Sequence, residues 1–377
     1  MTDPGRRILT RVGLRIPGWI TSESNASDST GSESTSSEST GSDRDGTGNR
    51  RGADQHRAGH SQGFDRLADI ATTAERSGFD SVWVTDNAGE GLGPSGRAPG
   101  FEPYTVLGAL ATRTRTVTLG AMVSPITARN PAVLAKIVTG VDVLSGGRAV
   151  LGVGMGASGS TISGKDSVTG QELAPPRPPS DVPGGTQRVD RVSRVDNLAE
   201  GLRICRAMFT EESPTFEGDY YRIENAENRP RPVRAGGIPI LVGGGEDEGV
   251  LELVARYADA VTLVGAVGTV RDRLDTLDRL CDEVGRDPAA ISRIRAGRLV
   301  IAPTEKEAGQ RVDRAAEHGG WDPDDGAVAI AGSPTSVADQ VGELLEVGID
   351  GVVFTMADAR DLELVEMAGT TLRSLFG

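Results

Sequence analysis

Residues 107–156, LGALATRTRTVTLGAMVSPITARNPAVLAKIVTGVDVLSGGRAVLGVGMG, hold the alternation that decides the fold. The stretch opens inside a helical run that starts near Glu102 and passes into a β-like run at 117–123 (VTLGAMV). It returns to helical spacing in PAVLAKIVTGVDVLS and closes in a second β-like run at 148–154 (RAVLGVG). Both β-like runs are nearly continuous in apolar residues. That is the pattern of parallel strands covered by helices, whereas a sheet wet on one side alternates.

The same unit recurs outward in both directions. Strands are expected at 11–16, 80–86, 117–123, 148–154, 239–243, 259–264, 295–301 and 350–355, with helical runs between them. The helix before the second strand, FDRLADIATTAERSG, ends at Gly78, and another opens with the capping box Thr304 to Glu307. Eight such units fit an α/β (β/α)8 TIM barrel better than an open doubly wound sheet. The long connections follow strands one, two and four, so they gather at the carboxyl ends of the strands, where barrel sites lie. We read residues 1–377 as one domain. Residues 21–63 hold no Ile, Leu, Val, Met or aromatic residue and are dense in serine, so they are expected to be a disordered insertion in the first βα connection.

Composition narrows the function classes. The chain has 377 residues, 40 Lys+Arg against 54 Asp+Glu and a formal net charge of -14. Such acidity argues against a nucleic-acid partner. No stretch is long and apolar enough for a membrane span, and no secretory h-region opens the chain, so a cytoplasmic protein is expected. Only Lys136, Lys165 and Lys306 are lysines. Carboxylate excess with depleted lysine points to a halophilic, high-salt cytoplasm. Cys205 and Cys281 are far apart in helical runs and only three histidines occur, so neither a disulfide framework nor a metal site is expected.

Candidate site residues cluster at predicted strand ends. Gly243, Gly244 and Gly245 follow strand five and precede a helix, an arrangement that offers backbone N–H groups to an anion. Glu246 and Asp247 in the first helical turn read first as caps. Gly152, Gly154 and Gly156 form a GxGxG series without the helix that a dinucleotide fingerprint requires, so they are read as room for a flat ring. Asp86 and Asn87 close strand two, and Pro125 suggests a bulge after strand three.

Taken together, DSVWVTDN, the 107–156 stretch, IPILVGGG with ARYADAV, and AGSPTSVADQVGELLEVGIDGVVF resemble the bacterial luciferase-like family of flavin- or deazaflavin-dependent oxidoreductases. LGAMVSPITARNP is similar to the strand-three segment of its F420-dependent methylenetetrahydromethanopterin reductase branch. The resemblance implies coenzyme F420, or FMN as the alternative, over the barrel mouth. It further implies a cis Met122–Val123 peptide, ring contacts from Met122, Val123, Ser124, Gly154, Met155 and Gly156, and a phosphate cradle at Gly243 to Gly245. The chain departs from the family in two places. Asn87 stands in place of the His of the family's common Asp-His ending, and Ala157 stands where sugar-phosphate dehydrogenases carry Glu, which argues against that substrate. The expected activity is hydride transfer between the deazaflavin C5 and a small organic substrate, with a methylene-tetrahydropterin as one class. Asp86 and Asn87 are the expected catalytic contacts, with Glu90 and Glu102 as weaker proton-donor candidates. An FMN monooxygenase and a cofactor-binding paralogue without turnover are the rivals, and a homodimer is expected.

Overall fold

A computed structural model describes residues 10–16, 48–86, 101–156, 191–317, 329–356 and 358–376, with backbone only for 48–62 and 191–193. The barrel strands are β1 (Val12–Ile16), β2 (Ser81–Val84), β3 (Thr118–Ala121), β5 (Ala149–Gly154), β8 (Ile240–Val242), β9 (Ala260–Leu263), β10 (Ser292–Ile301) and β12 (Gly351–Met356). All pair in parallel in that order, and β12 pairs with β1, which closes an eight-stranded barrel. The helices between them are α1 (Gly48–Ser77), α2 (Pro103–Arg113), α3 (Pro131–Ser145), α4 (Arg191–Thr210), α5 (Glu248–Tyr257), α6 (Val267–Val284), α7 (Glu305–Glu317), α8 (Pro334–Glu346) and α9 (Leu362–Arg373).

Helix entry and exit follow local chemistry. Asn130 caps α3 through a bond accepted from the Ala132 N–H, Pro131 takes the first turn, and Gly146 ends the helix at φ 70°. Their apolar faces bury Leu67, Leu110, Leu134, Leu202 and Val254 against the outward residues of the strands, such as Leu14, Leu119, Leu151 and Val242. Inside the barrel a separate cluster forms around Trp83, Met122, Val150, Leu241, Ile294 and Val353. Trp83 is 0% exposed. Its indole fits because neighbouring strands carry glycine: a Cβ on Gly120 would lie 2.5 Å from the ring, and one on Gly13 3.1 Å from Nε1. The amino-terminal end of the barrel is closed by local bonds. Asp80 accepts from the backbone N–H groups of Arg11 and Val12 at 2.8 and 3.3 Å.

Several expectations need correction. The first is the stretch 21–63: α1 begins at Gly48, so residues 48–63 are helical backbone and not a loop, while 21–47 lie outside the described residues. Ala, Arg and Gln in that stretch suit a helix, and extension from a turn already packed at Leu67 needs no new nucleus. Strand seven, expected from 295, starts at Ser292. Two pieces went unforeseen: β11 (Ile330–Gly332), which pairs with β10, and the antiparallel hairpin of β6 (Phe216–Glu217) with β7 (Arg222–Ile223). Each is two or three residues long, too short to show a periodicity.

Candidate functional site

Strand three does not run straight to its end. It breaks after Ala121 and resumes as β4 (Ser124–Pro125), which pairs with Val153 and Gly154 of β5. The peptide between Met122 and Val123, inside the break, is cis, as the resemblance implied. The break turns the Val123 side chain onto two glycines. A Cβ on Gly154 would lie 3.0 Å from Val123 Cγ2, and a Cβ on Gly243 would lie 2.9 Å from Val123 Cγ1. Gly243 is also joined to β5 through its N–H, which donates to the Val153 carbonyl at 2.8 Å. Val123, Ser124, Gly154 and Gly243, chosen from three separate stretches of sequence, therefore meet at the carboxyl rim of β4, β5 and β8. Met155 and Gly156 continue from β5, with Gly156 at φ 78° above Pro125.

Gly244, at φ 98°, turns the chain from β8 toward α5, and a side chain there would be strained. Asp247 caps α5, accepting from the N–H groups of Gly249 and Val250 at 2.9 and 3.4 Å, while Glu246 is exposed and lies 3.8 Å from Arg273. The cap reading holds for Asp247 and not for Glu246, which faces solvent and Arg273. An anion at this turn would meet the Gly243 to Gly245 segment, because the first-turn donors of α5 already serve Asp247. Cations flank the rim on either side: Arg194 donates to the Gly156 carbonyl at 3.2 Å, and Arg273 to that of Val264 at 2.6 Å.

Asp86, at the end of β2, is 1% exposed and both of its oxygens are engaged. Oδ2 accepts from Ser124 Oγ at 2.5 Å and from Arg129 at 2.7 Å, and Oδ1 accepts from Arg129 at 3.3 Å. The Ser124 proton goes to Asp86, so the Tyr104 hydroxyl, 2.6 Å from Ser124 Oγ, donates to it. Burial raises the Tyr104 phenol above its ordinary range, which keeps it a donor. Arg129 also pairs with Glu102 at 3.0 Å and stacks 5.3 Å from the Tyr104 ring centroid. Although desolvation opposes its charge, the Asp86 bond and field leave the Arg129 pKa above its ordinary value. This network fastens the end of β2 to the break in β3. Glu102 is the N-cap of α2, accepting from the Thr105 N–H at 2.7 Å. Asn87, Glu90 and Ala157 lie outside the described residues.

Sequence reading passed over Arg129 and an inward pair, Arg15 and Arg298. Arg129 was legible as the charged residue directly before the Asn130–Pro131 cap. The pair was legible by phase, because Arg15 alternates with Gly13 and Arg298 with Ala296 on strands whose inner face is apolar. No helix among the described residues is long and apolar enough to cross a membrane.

Known proteins share this architecture. The family model described as luciferase-like monooxygenase matches residues 47–351. An F420-dependent glucose-6-phosphate dehydrogenase of Nakamurella multipartita is 32% identical over 233 residues, 59% of this chain and 61% of that protein. The chain thus matches about three fifths of that relative's length, and the relative belongs to the sugar-phosphate class that Ala157 argues against. A 5,10-methylenetetrahydromethanopterin reductase of Archaeoglobus fulgidus is 25% identical over 74% of this chain and 86% of its own. The solved F420-dependent tetrahydromethanopterin reductase of Methanopyrus kandleri superposes with a TM-score of 0.66 at 19% identity, over 83% of this chain and 96% of its own. With the closed barrel, the break after β3 and a family match over most of its length, the chain belongs to the luciferase-like monooxygenase family.

Proposed function

We propose that this protein is a coenzyme F420-dependent oxidoreductase that moves a hydride between the deazaflavin C5 and a small organic substrate. The observation that carries the reading is the convergence of Val123, delivered by the cis junction, with Gly154 and Gly243. The two glycines leave room for Val123, since an added Cβ at either would lie 2.9 to 3.0 Å from one of its methyl groups, and the side-chain-poor surface they make beside it suits a flat ring lying across β4, β5 and β8. Two of the three relatives described above are F420-dependent by name, which supports the deazaflavin over FMN.

When bound, F420 supplies the hydride chemistry itself. The chain's own part is to bind and orient. Val123, with Met122 and Ser124 buried beside it, would back the ring, and Gly154, Met155 and Gly156 would border it. At the Gly243 to Gly245 turn the phosphate would be received by the backbone N–H groups of Gly244 and Gly245, since that of Gly243 is given to the Val153 carbonyl. Asp86 acts through Ser124 and Arg129 by holding the break in place. With both carboxylate oxygens occupied, it positions other groups and does not itself exchange a proton with substrate. Asn87, next in the chain, is the residue we assign to the reacting edge, where it donates or accepts a hydrogen bond. Glu102 is bound to a helix start and to Arg129, which weakens it as a proton donor. We further read the chain as a protein of a high-salt cytoplasm, on its acidity and lysine depletion, and as a homodimer, on its family membership.

The test is turnover. Deazaflavin absorbance is followed with F420 plus secondary alcohols or sugar phosphates, and with reduced F420 plus methylene-tetrahydropterin, quinones or enones. A substrate-dependent change in one panel supports the proposal. Oxygen consumption with reduced FMN and no change in either F420 panel contradicts it.

A further inference from the structure

The inner face of β9 carries a hydroxyl at the level of the floor. Ala260 pairs with Leu241 of β8, so the same register sets Thr262 beside Gly243, and on its other side Thr262 pairs with Ile294 of β10. A Cβ on Gly243 would lie 3.4 Å from Thr262 Oγ1 as well as 2.9 Å from Val123 Cγ1, so the hydroxyl and the valine border the same gap. Thr262 is 6% exposed, and Leu241, Ala260 and Ile294 around it are fully buried. Its hydroxyl has no hydrogen-bond partner among the described residues. Nor is it one of the sealed polar atoms that lack a partner, so it opens on the gap above Gly243. Two other hydroxyls of the inner face are engaged: Ser81 accepts from Trp83 Nε1 at 3.0 Å, and Thr355 accepts from Arg15 Nε at 2.5 Å. A buried hydroxyl without a partner costs stability, whereas valine, of the same shape, would fill this apolar position without that cost. A ligand that supplies the missing partner explains the threonine.

We infer that Thr262 is a cofactor-binding residue whose hydroxyl hydrogen-bonds the pyrimidinedione edge of the ring that rests on Val123, Gly154 and Gly243. The inference deepens the proposed function and rests on its placing of the ring. A ring lying across β4, β5 and β8 meets β9 with one end. The pyrimidinedione carries two carbonyl oxygens with a ring N–H between them, so burying it against Leu241, Ala260 and Ile294 requires a polar partner. A hydroxyl donates to a carbonyl and can accept from an N–H, which suits it to that edge. Deazaflavin and flavin share this edge and differ in the substituents at the far end of the ring. Thr262 therefore sets the orientation of the ring and does not choose between the two cofactors.

The experiment compares the full wild-type chain with Thr262→Val and Thr262→Ser by fluorescence titration with F420 and, separately, FMN. Thr262→Val keeps the shape and removes the hydroxyl, so it should weaken binding of whichever ring the wild type takes by about three- to tenfold. Thr262→Ser keeps the hydroxyl and should recover most of that loss. Ligand-free Thr262→Val should melt no lower than wild type, because the hydroxyl it loses has no partner in the described protein. A threonine that served the fold alone would instead lower the melting temperature and leave affinity unchanged. Ionisation of the F420 8-hydroxyl, read by visible absorbance, should fall at the same pH in the wild-type and Thr262→Val complexes, since that group lies at the far end of the ring. Unchanged affinity in Thr262→Val, equal losses in the Val and Ser variants, or a shifted 8-hydroxyl ionisation overturns the inference. If the wild type binds FMN alone and Thr262→Val weakens it, the contact stands and the F420 reading falls. If neither ring binds, both fall.

Discussion

Replacing Arg129 by Met isolates what holds the break in strand three. The substitution keeps most of the side-chain volume and removes the charge that neutralises Asp86, a carboxylate 1% exposed. Breaking a fully buried ion pair from one side costs about 3 to 5 kcal/mol. The Arg129 side chain is 20% exposed, so water can partly replace it, and the figure falls to roughly 2 to 3 kcal/mol. Loss of the exposed Glu102 contact adds at most about 1 kcal/mol, and the Tyr104 stacking about 0.5 to 1 kcal/mol. Asp86→Asn should cost less, about 1 to 2 kcal/mol, because Arg129 keeps Glu102 and water. Because both single changes break the same pair, the double variant should fall short of their sum by roughly 1.5 kcal/mol. Urea unfolding of the four proteins, with unchanged slopes, measures these values. If Arg129→Met lies within about 0.5 kcal/mol of wild type, or if the cycle is additive, the network does not fasten β2 to the break.

Three other outcomes follow from the same geometry. Gly243→Ala places a methyl group 2.9 Å from Val123 and should weaken F420 binding about tenfold while shifting the melting temperature little, since the valine yields into the open mouth; an unchanged dissociation constant would remove Val123 and Gly243 from the ring floor. Burial raises the Asp80 carboxyl to about 6 despite the two backbone N–H groups that hold it, so the native state retains a proton that the unfolded chain releases near pH 4. That contribution, about 3 kcal/mol, should disappear as pH rises from about 4 to about 6 and stay constant above; Asp80→Asn should flatten the decline in a melting-temperature profile, and an unaltered profile would show that Asp80 is not its source. Deleting residues 22–47 removes no Ile, Leu, Val, Met or aromatic side chain and stops short of α1, so the melting temperature should hold, and a marked fall would show that the segment packs.

What the sequence disclosed and what it withheld divide along physical lines. The eight strands were legible because each is a short apolar run next to a helical period, and β12 and β5 fall within a residue of their expected ends. Gly154 and Gly243 were legible as glycines at strand ends, yet their joint purpose was not. It depends on Val123, from a third strand, standing between them. Asp86 was found by position, while its occupation by Ser124 and Arg129 depends on a contact 43 residues away that no local pattern encodes. Residues 48–63 misled because composition reports the absence of a core but not the reach of a helix nucleated next door. The inward pair of Arg15 and Arg298 was in plain view, but the two share a height only once the register of β1, β12 and β10 is known.

The central claim is that the floor made by Val123, Gly154 and Gly243 receives a deazaflavin, and equilibrium titration of the purified chain with F420 and, in parallel, FMN tests it most directly. Saturable F420 binding in the micromolar range or tighter, with FMN at least about tenfold weaker, is the predicted result. Tight FMN binding without F420 binding, or binding of neither, would contradict it.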